Sequence, residues 1–170
     1  MNLPIITYPN PILNKKSQKV KVFNDELKKL ADDMVKLMFA NKGVGLSAPQ
    51  IGKNIKLVVI EYNEDRFRDI NGFDEFDGYG DIIIPLTILV NPKITNFSKE
   101  TDVQEEGCLS LPNIELPIRR SKKIKVIAQD IDGNKISLRA NDLFARALQH
   151  EIDHLNGILI NDESHKKNKK

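Results

Sequence analysis

The stretch from Asp142 to Asn156 constrains this chain most, because its apolar spacing and its flanking residues mark it as a helix. Leu143, Ala147, Leu148, Ile152 and Leu155 recur at helical spacing and supply a core-facing stripe. Asn141 is placed to cap the start and Gly157 to stop the end. Within the helix runs His150-Glu151-Ile152-Asp153-His154. Residues four apart on a helix differ by about 40° in direction and about 6 Å in height, so both imidazoles face one point in space. A divalent metal held by two nitrogens at about 2 Å suits that arrangement. Glu151 is turned about 100° from His150, too far for an easy third ligand but able to reach a metal's water. The same five-residue pattern also occurs where histidines are merely exposed or are satisfied core residues.

A census of ligand types narrows the choice. The chain has three histidines, and the third, His165, sits in a polar tail. A site made from this chain therefore needs another donor. Cys108, the single cysteine, is the obvious candidate, since thiolate and imidazole together bind borderline-soft divalent metals well. A lone cysteine is otherwise a small buried apolar residue, and alone it closes no internal disulfide.

Composition excludes several classes. With 170 residues, 40% hydrophobic and 29% charged, the chain fits one soluble globular domain, residues 1–164, with a short basic tail at 165–170. No apolar run approaches the ~20 residues of a membrane span, and no charged-then-apolar leader opens the sequence. No membrane partner is expected. The formal charge is +2, but Lys166, Lys167, Lys169 and Lys170 contribute four positive charges, which leaves a mildly acidic body. Such a body is a poor match for DNA or other nucleic acid.

The rest of the chain reads as mixed structure. Leu27, Leu30, Ala31, Met34, Val35 and Met38 form one helical stripe, with Asn24 at its cap and Gly43 just past its end. A loop, 43–52, leads to a buried strand over Ile55–Tyr62. Residues 63–81, with seven acidic residues and no core-facing period, read as a surface insertion. A strand over Ile82–Val90 carries Pro85, which suggests an edge or a bulge. Ile124–Ala128 and Lys135–Leu138 flank Asp132-Gly133 as a hairpin. The expected class is α+β: mostly antiparallel sheets packed around a central metal-binding helix, with a second, N-terminal helix.

Three segments then fall into one pattern. Gly43-Val44-Gly45-Leu46-Ser47-Ala48-Pro49-Gln50, Glu106-Gly107-Cys108-Leu109-Ser110 and His150-Glu151-Ile152-Asp153-His154-Leu155-Asn156-Gly157 resemble the three signature motifs of the peptide deformylases, in that family's order. Ile6 to Pro11, Leu13, and Ala145-Arg146-Ala147-Leu148-Gln149 look similar too, so the resemblance runs from about residue 5 to 162. It implies a hydrolase that removes the formyl group from the N-terminal formyl-methionine of nascent polypeptides, releasing formate. Cys108, His150 and His154 would hold one metal ion, typically Fe(II) in this family, with Zn(II) or Ni(II) able to occupy the site. Glu151 would take the proton of the attacking water and return it to the departing amine. Gln50 and the backbone N–H of Leu109 would meet the oxyanion. By the same resemblance, Gly45 would bond the peptide backbone, and Val44, Leu143 and Ala147 would receive the methionine side chain. Glu106, carried with these substrate-side residues, looks like a carboxylate behind the ligands, paired with Arg120.

The chain also departs from the family pattern. Ser47 stands where alanine is commonest, a small-for-small change expected to matter little. Asn113 and Glu115 differ near the substrate path, which affects peptide contacts beyond the methionine. A long C-terminal helix that docks many bacterial members on the ribosome is not evident, so only a transient ribosome contact is expected. A monomer in the bacterial cytoplasm is the expected setting, with a mature organellar enzyme as the other. Two different readings stand beside this one. A zincin-type metallopeptidase would need a third ligand downstream, where only Glu163 and His165 lie. A binding module with a vestigial site would not need Cys108, Glu151 and Gln50 all intact.

Overall fold

The computed structural model describes residues 3–63 and 82–166. The acidic insertion from 64 onward and the tail beyond 166 lie outside the described residues.

Helix α1 spans Asp25–Ala40. Asn24 caps it, its side chain accepting from the Leu27 N–H at 3.0 Å, and Asp25 and Glu26 complement the helix dipole in the first turn. Its end differs from the expectation. Gly43 is not the left-handed residue; Lys42 is, at φ 52°. The Lys42 and Gly43 N–H groups bond the carbonyls of Phe39 and Met38, the paired bonds of a Schellman stop. Gly43 is needed for space instead, since a Cβ there would stand 3.1 Å from Leu109 Cδ1 and 3.3 Å from Met38 Cγ.

Seven strands follow or flank the helices: β1 Gly45–Ser47, β2 Leu57–Tyr62, β3 Ile84–Phe97, β4 Thr101–Cys108, β5 Leu111–Ser121, β6 Lys123–Gln129 and β7 Lys135–Asn141. Five form an antiparallel sheet in the order β1-β2-β3-β6-β7, and β4 pairs with β5 in a separate antiparallel ribbon. The uninterrupted apolar run of β2 is explained by burial on both faces. Leu57 and Val59 pack with the α1 residues Met34 and Met38, whereas Val58, Ile60 and Tyr62 pack with Leu148 and Ile152 on the other side. Pro85 lies at a register shift between Ile60 and Tyr62, so the bulge reading holds. The strand itself runs on to Phe97, through a second shift where Asn91 (φ 53°) clasps the Val20 backbone and donates to Gln129. The hairpin around Gly133 also forms, in a loop where Asp130 accepts from the N–H groups of Asp132 and Asn134.

The β4–β5 ribbon carries no helical or strand period strong enough to read from sequence. Its alternation is mostly polar, and only Glu106 and, on the partner strand, Leu111, Ile118 and Arg120 are buried. What fixes it is tertiary. Leu111 and Ile118 pack on Leu13, Leu159 and Ile160, and Gln149 clasps the Ser121 backbone with bonds of 3.1 and 2.8 Å.

Helix α2, Asp142–Leu155, lies between sheet and ribbon, with ten of its fourteen residues buried. Asn141 precedes it, but its side chain makes no capping bond. Gly157 ends it as expected, at φ 75°, and a Cβ there would meet Asn14 O at 2.6 Å. A short helix α3 covers Glu163–Lys166. No helix among the described residues is long and apolar enough to cross a membrane.

Candidate active site

Helix α2 uses two faces. The apolar stripe meets the sheet, and a second stripe, Arg146, Gln149, His150 and Asp153 at i, i+3, i+4 and i+7, meets the ribbon. Between ribbon and sheet a cavity of about 380 Å³ opens. Val44 and Gly45 line it from the sheet side, Glu106, Gly107, Cys108 and Leu109 from the ribbon and its turn, and Leu143, Ala147, His150 and Glu151 from α2. Gln50 also lines it, and His154 lies beneath it, 1% exposed.

Three ligand atoms converge here. Cys108 Sγ is 3.3 Å from His154 Nε2, which is 3.2 Å from His150 Nε2, and all lie within 4.8 Å of one another. Nitrogen and sulfur ligands at about 2.0–2.3 Å from a tetrahedral cation stand about 3.3–3.6 Å apart, so the donor set fits a divalent ion. His165 is not part of it. Its Nε2 lies 3.5 Å from Asp153, the carboxylate that also pairs with Arg120.

Behind the ligands is a charge cluster that the sequence disclosed only in part. Glu106 receives Arg120 through both oxygens at 2.9 Å, Arg146 at 2.7 Å and His150 Nδ1 at 2.9 Å. Both oxygens of Glu106 are therefore engaged, one of them with His150 Nδ1. Burial opposes its ionisation, but the bonds from His150 and Arg120 outweigh that and hold its pKa well below the usual range. Burial likewise opposes the charge on Arg120, and Glu106 and Asp153 reverse it, leaving the guanidinium more firmly charged. Asp153 caps Arg120, and Asp102 caps Arg146 at 2.6 Å. Arg146, Asp102 and Asp153 went unassigned in the sequence; the polar stripe at helical spacing was the available signal.

Glu151 is 4% exposed, and its Oε2 has no hydrogen-bond partner among the described residues. Desolvation pushes its pKa up to about 7, against the pull of His150 and Ser47. Its room comes from Gly45, where a Cβ would fall 2.5 Å from Glu151 Oε1. Sequence reasoning allows Gly43 and Gly45 unusual backbone angles, but neither is left-handed; both are glycine because a neighbour occupies the space of a side chain. Gln50 is held by its oxygen. Ser47 donates to Oε1 from both N–H and Oγ at 2.8 Å, which turns Nε2 toward Ser110 Oγ (3.3 Å) and Cys108 Sγ (3.7 Å). Val44, Leu143 and Ala147 belong to the core and line the cavity at once.

The sequence matches the family model for polypeptide deformylases over residues 2–170. The chain belongs to the polypeptide deformylase family. Members are metal-dependent hydrolases that remove the N-terminal formyl group of nascent polypeptides. It is 42% identical over 160 residues to the peptide deformylase of Desulfotalea psychrophila, covering 94% of this chain and 86% of that protein. It is 40% identical to a chloroplastic peptide deformylase 1B of Solanum lycopersicum, of which it spans 52%, with 95% of this chain covered. The fold is similar, at TM-score 0.81 and 29% identity, to an Acinetobacter baumannii class I type b peptide deformylase bound to Met-Ala-Ser, covering 94% of this chain and 96% of that one.

Proposed function

We propose that this chain deformylates formyl-methionyl peptides in the cavity described above, with Cys108, His150 and His154 holding one metal ion, Fe(II) in the cell and Zn(II) or Ni(II) as substitutes. The observation that carries this is the juxtaposition of three converging ligand atoms with a buried, unpartnered carboxylate oxygen at one cavity wall. When bound, such an ion supplies Lewis acidity and lowers the pKa of water in its open position.

The chain's own residues do the rest. Glu151, with a pKa near 7, accepts a proton from the attacking water and returns it to the amine as it leaves. Gln50 Nε2, aimed by Ser47, and the Leu109 N–H donate to the oxygen that becomes negative. Strand β1 lies at the sheet edge, so an extended peptide can run along Gly45 as an added strand. The methionine side chain then rests on Val44, Leu143 and Ala147. Glu106, gripped by two arginines, keeps His150 in one orientation. The metallopeptidase alternative loses support, because His165 sits on Asp153 and away from the ligand group.

Formate release from formyl-Met-Ala-Ser by anaerobically Fe(II)-loaded protein, with cleavage of an internal peptide bond as the comparison, tests the proposal. Release without internal cleavage is expected. Glu151→Ala should lower turnover by about 10²–10⁴-fold with metal retained, whereas Cys108→Ala should lose the metal. Absence of formate, or unchanged metal affinity in Cys108→Ala, overturns the assignment. Monomeric action on peptides leaving the ribosome belongs to the same reading; co-sedimentation with and without residues 165–170 tests that contact.

A further inference from the structure

We propose that the chain holds a second binding site, for the phosphate groups of a small phosphorylated anion, in a cavity behind α2 walled by Lys16, Lys56, Lys93 and Arg120. This cavity, of about 350 Å³, lies between the C-terminal half of α2, strand β3 and the segment that precedes α1. It shares no lining residue with the cavity that holds Cys108 and Glu151.

Backbone contacts bring the three lysines together from distant parts of the chain. Lys56 donates its N–H to Gln18 O at 2.9 Å, and Asn91 donates its N–H to Lys56 O at 2.9 Å. Lys93 follows two residues after the left-handed Asn91, in the shifted stretch of β3. The Ser17 N–H donates to Leu155 O at 2.8 Å, which holds the neighbouring Lys16 at the end of α2. None of the three lysines makes an ion pair or a side-chain hydrogen bond among the described residues. Lys56 is half-buried; burial, and after it the charges of Lys16, Lys19 and Lys93, lower its pKa. Lysines beside the last turn of a helix often serve its carbonyls. Here that duty is already met, because the carbonyls of Ile152, Asp153, His154 and Leu155 accept the N–H groups of Asn156, Ile158, Gly157 and Ser17.

The cavity wall supplies an independent observation. Arg120 is 6% exposed, and it gives two of its N–H groups to Glu106 and one to Asp153. A guanidinium has five such groups, so two have no acceptor among the described residues. Asp153 is the lining's one carboxylate, and Arg120 already pairs with it. A buried guanidinium with donors to spare, beside three ammonium groups that repel one another, is completed by an oxyanion. A single phosphate leaves much of the volume unfilled, so two or three linked phosphates, or a nucleotide, match its size. Pro92, Ile94 and Phe97, the last 56% exposed, give the cavity one apolar side on which a base can lie.

The test titrates the full Zn(II)-loaded chain with inorganic triphosphate, ATP and GTP by calorimetry, at low and at about 0.5 M salt. One triphosphate per chain should bind, less tightly at high salt. Lys56→Gln should weaken binding about tenfold, and Lys16→Gln or Lys93→Gln, being exposed, about two- to fivefold each. The triple variant Lys16→Gln/Lys56→Gln/Lys93→Gln should lose binding yet melt no lower than the parent without ligand, since it removes repulsion and breaks no pair. Chelation of zinc by the ligand is common to both proteins, so their difference reports the cavity. Tighter binding of ATP or GTP than of triphosphate, with the advantage lost in Phe97→Ala, supports the site with a nucleotide as its source of phosphate. Equal binding supports it with the phosphate chain alone. No saturable binding of any of the three, or equal binding by parent and triple variant, overturns the proposal.

Discussion

Replacing Gly45 by alanine isolates one contact on which the proposed chemistry depends. The new Cβ would lie 2.5 Å from Glu151 Oε1, 2.8 Å from Cγ and 2.9 Å from Cδ. Non-bonded heavy atoms rest at about 3.5 Å, so the carboxylate must retreat by nearly 1 Å. Glu151 is 4% exposed on a helix packed from both sides, so its carboxylate can retreat only toward the cavity it lines, away from its present position. The backbone does not object to alanine, because Gly45 is not in the left-handed region and pairs with Ile60 as an ordinary strand residue. Displacing a proton-transfer group by about 1 Å costs about 10²-fold, equal to about 2.7 kcal/mol of barrier. Gly45→Ala should therefore show kcat lowered about 100-fold, with metal content unchanged, in a formate-release assay on metal-matched protein. A kcat within threefold of the parent would refute the claim that Glu151 is held tightly. A rise in KM alone would move the effect from Glu151 to the peptide path.

Glu106→Gln removes the anion that two buried arginines share, and should destabilise the fold by about 3 kcal/mol in urea titrations at pH 7. Since the folded Glu106 pKa lies below its unfolded value near 4.5, this stabilisation is complete above that pH and fades as pH falls through the folded value. Parent and variant unfolding curves should thus converge in acid. Ser47→Ala deletes one of two donors on Gln50 Oε1, worth about 1 kcal/mol; kcat should drop about fivefold with KM little changed, contrary to the expectation from residue size. The helix stops give opposite results. Lys42→Gly relieves a left-handed lysine and should raise stability by about 1 kcal/mol, whereas Gly157→Ala puts a Cβ 2.6 Å from Asn14 O at φ 75° and should cost about 2 kcal/mol or more. Thermal unfolding midpoints measure both.

Helices α1 and α2, the buried strand β2, the bulge at Pro85 and the hairpin at Gly133 were legible because each depends on neighbours in the chain: a periodic apolar stripe, a capping asparagine, a turn glycine. The α2 pair His150 and His154 was legible for the same reason, since four residues on one helix set their relation. Ribbon β4–β5 was not, because its alternation is polar and its partners, Leu13, Leu159 and Gln149, come from distant parts of the chain.

The ordered motifs on their own named a thiol, two imidazoles and a carboxylate as the candidate chemical groups. Only tertiary structure brought Cys108, 46 residues away from His154, to within 3.3 Å of it. It alone added Arg146 to the Glu106–Arg120 pair that the resemblance implied, and it alone showed that Gly45 is small because Glu151 fills the space beside it. The physical reason is the range of the forces involved. Helical period and capping act over a few residues, whereas close packing and buried charge pairing depend on whatever the whole fold sets side by side.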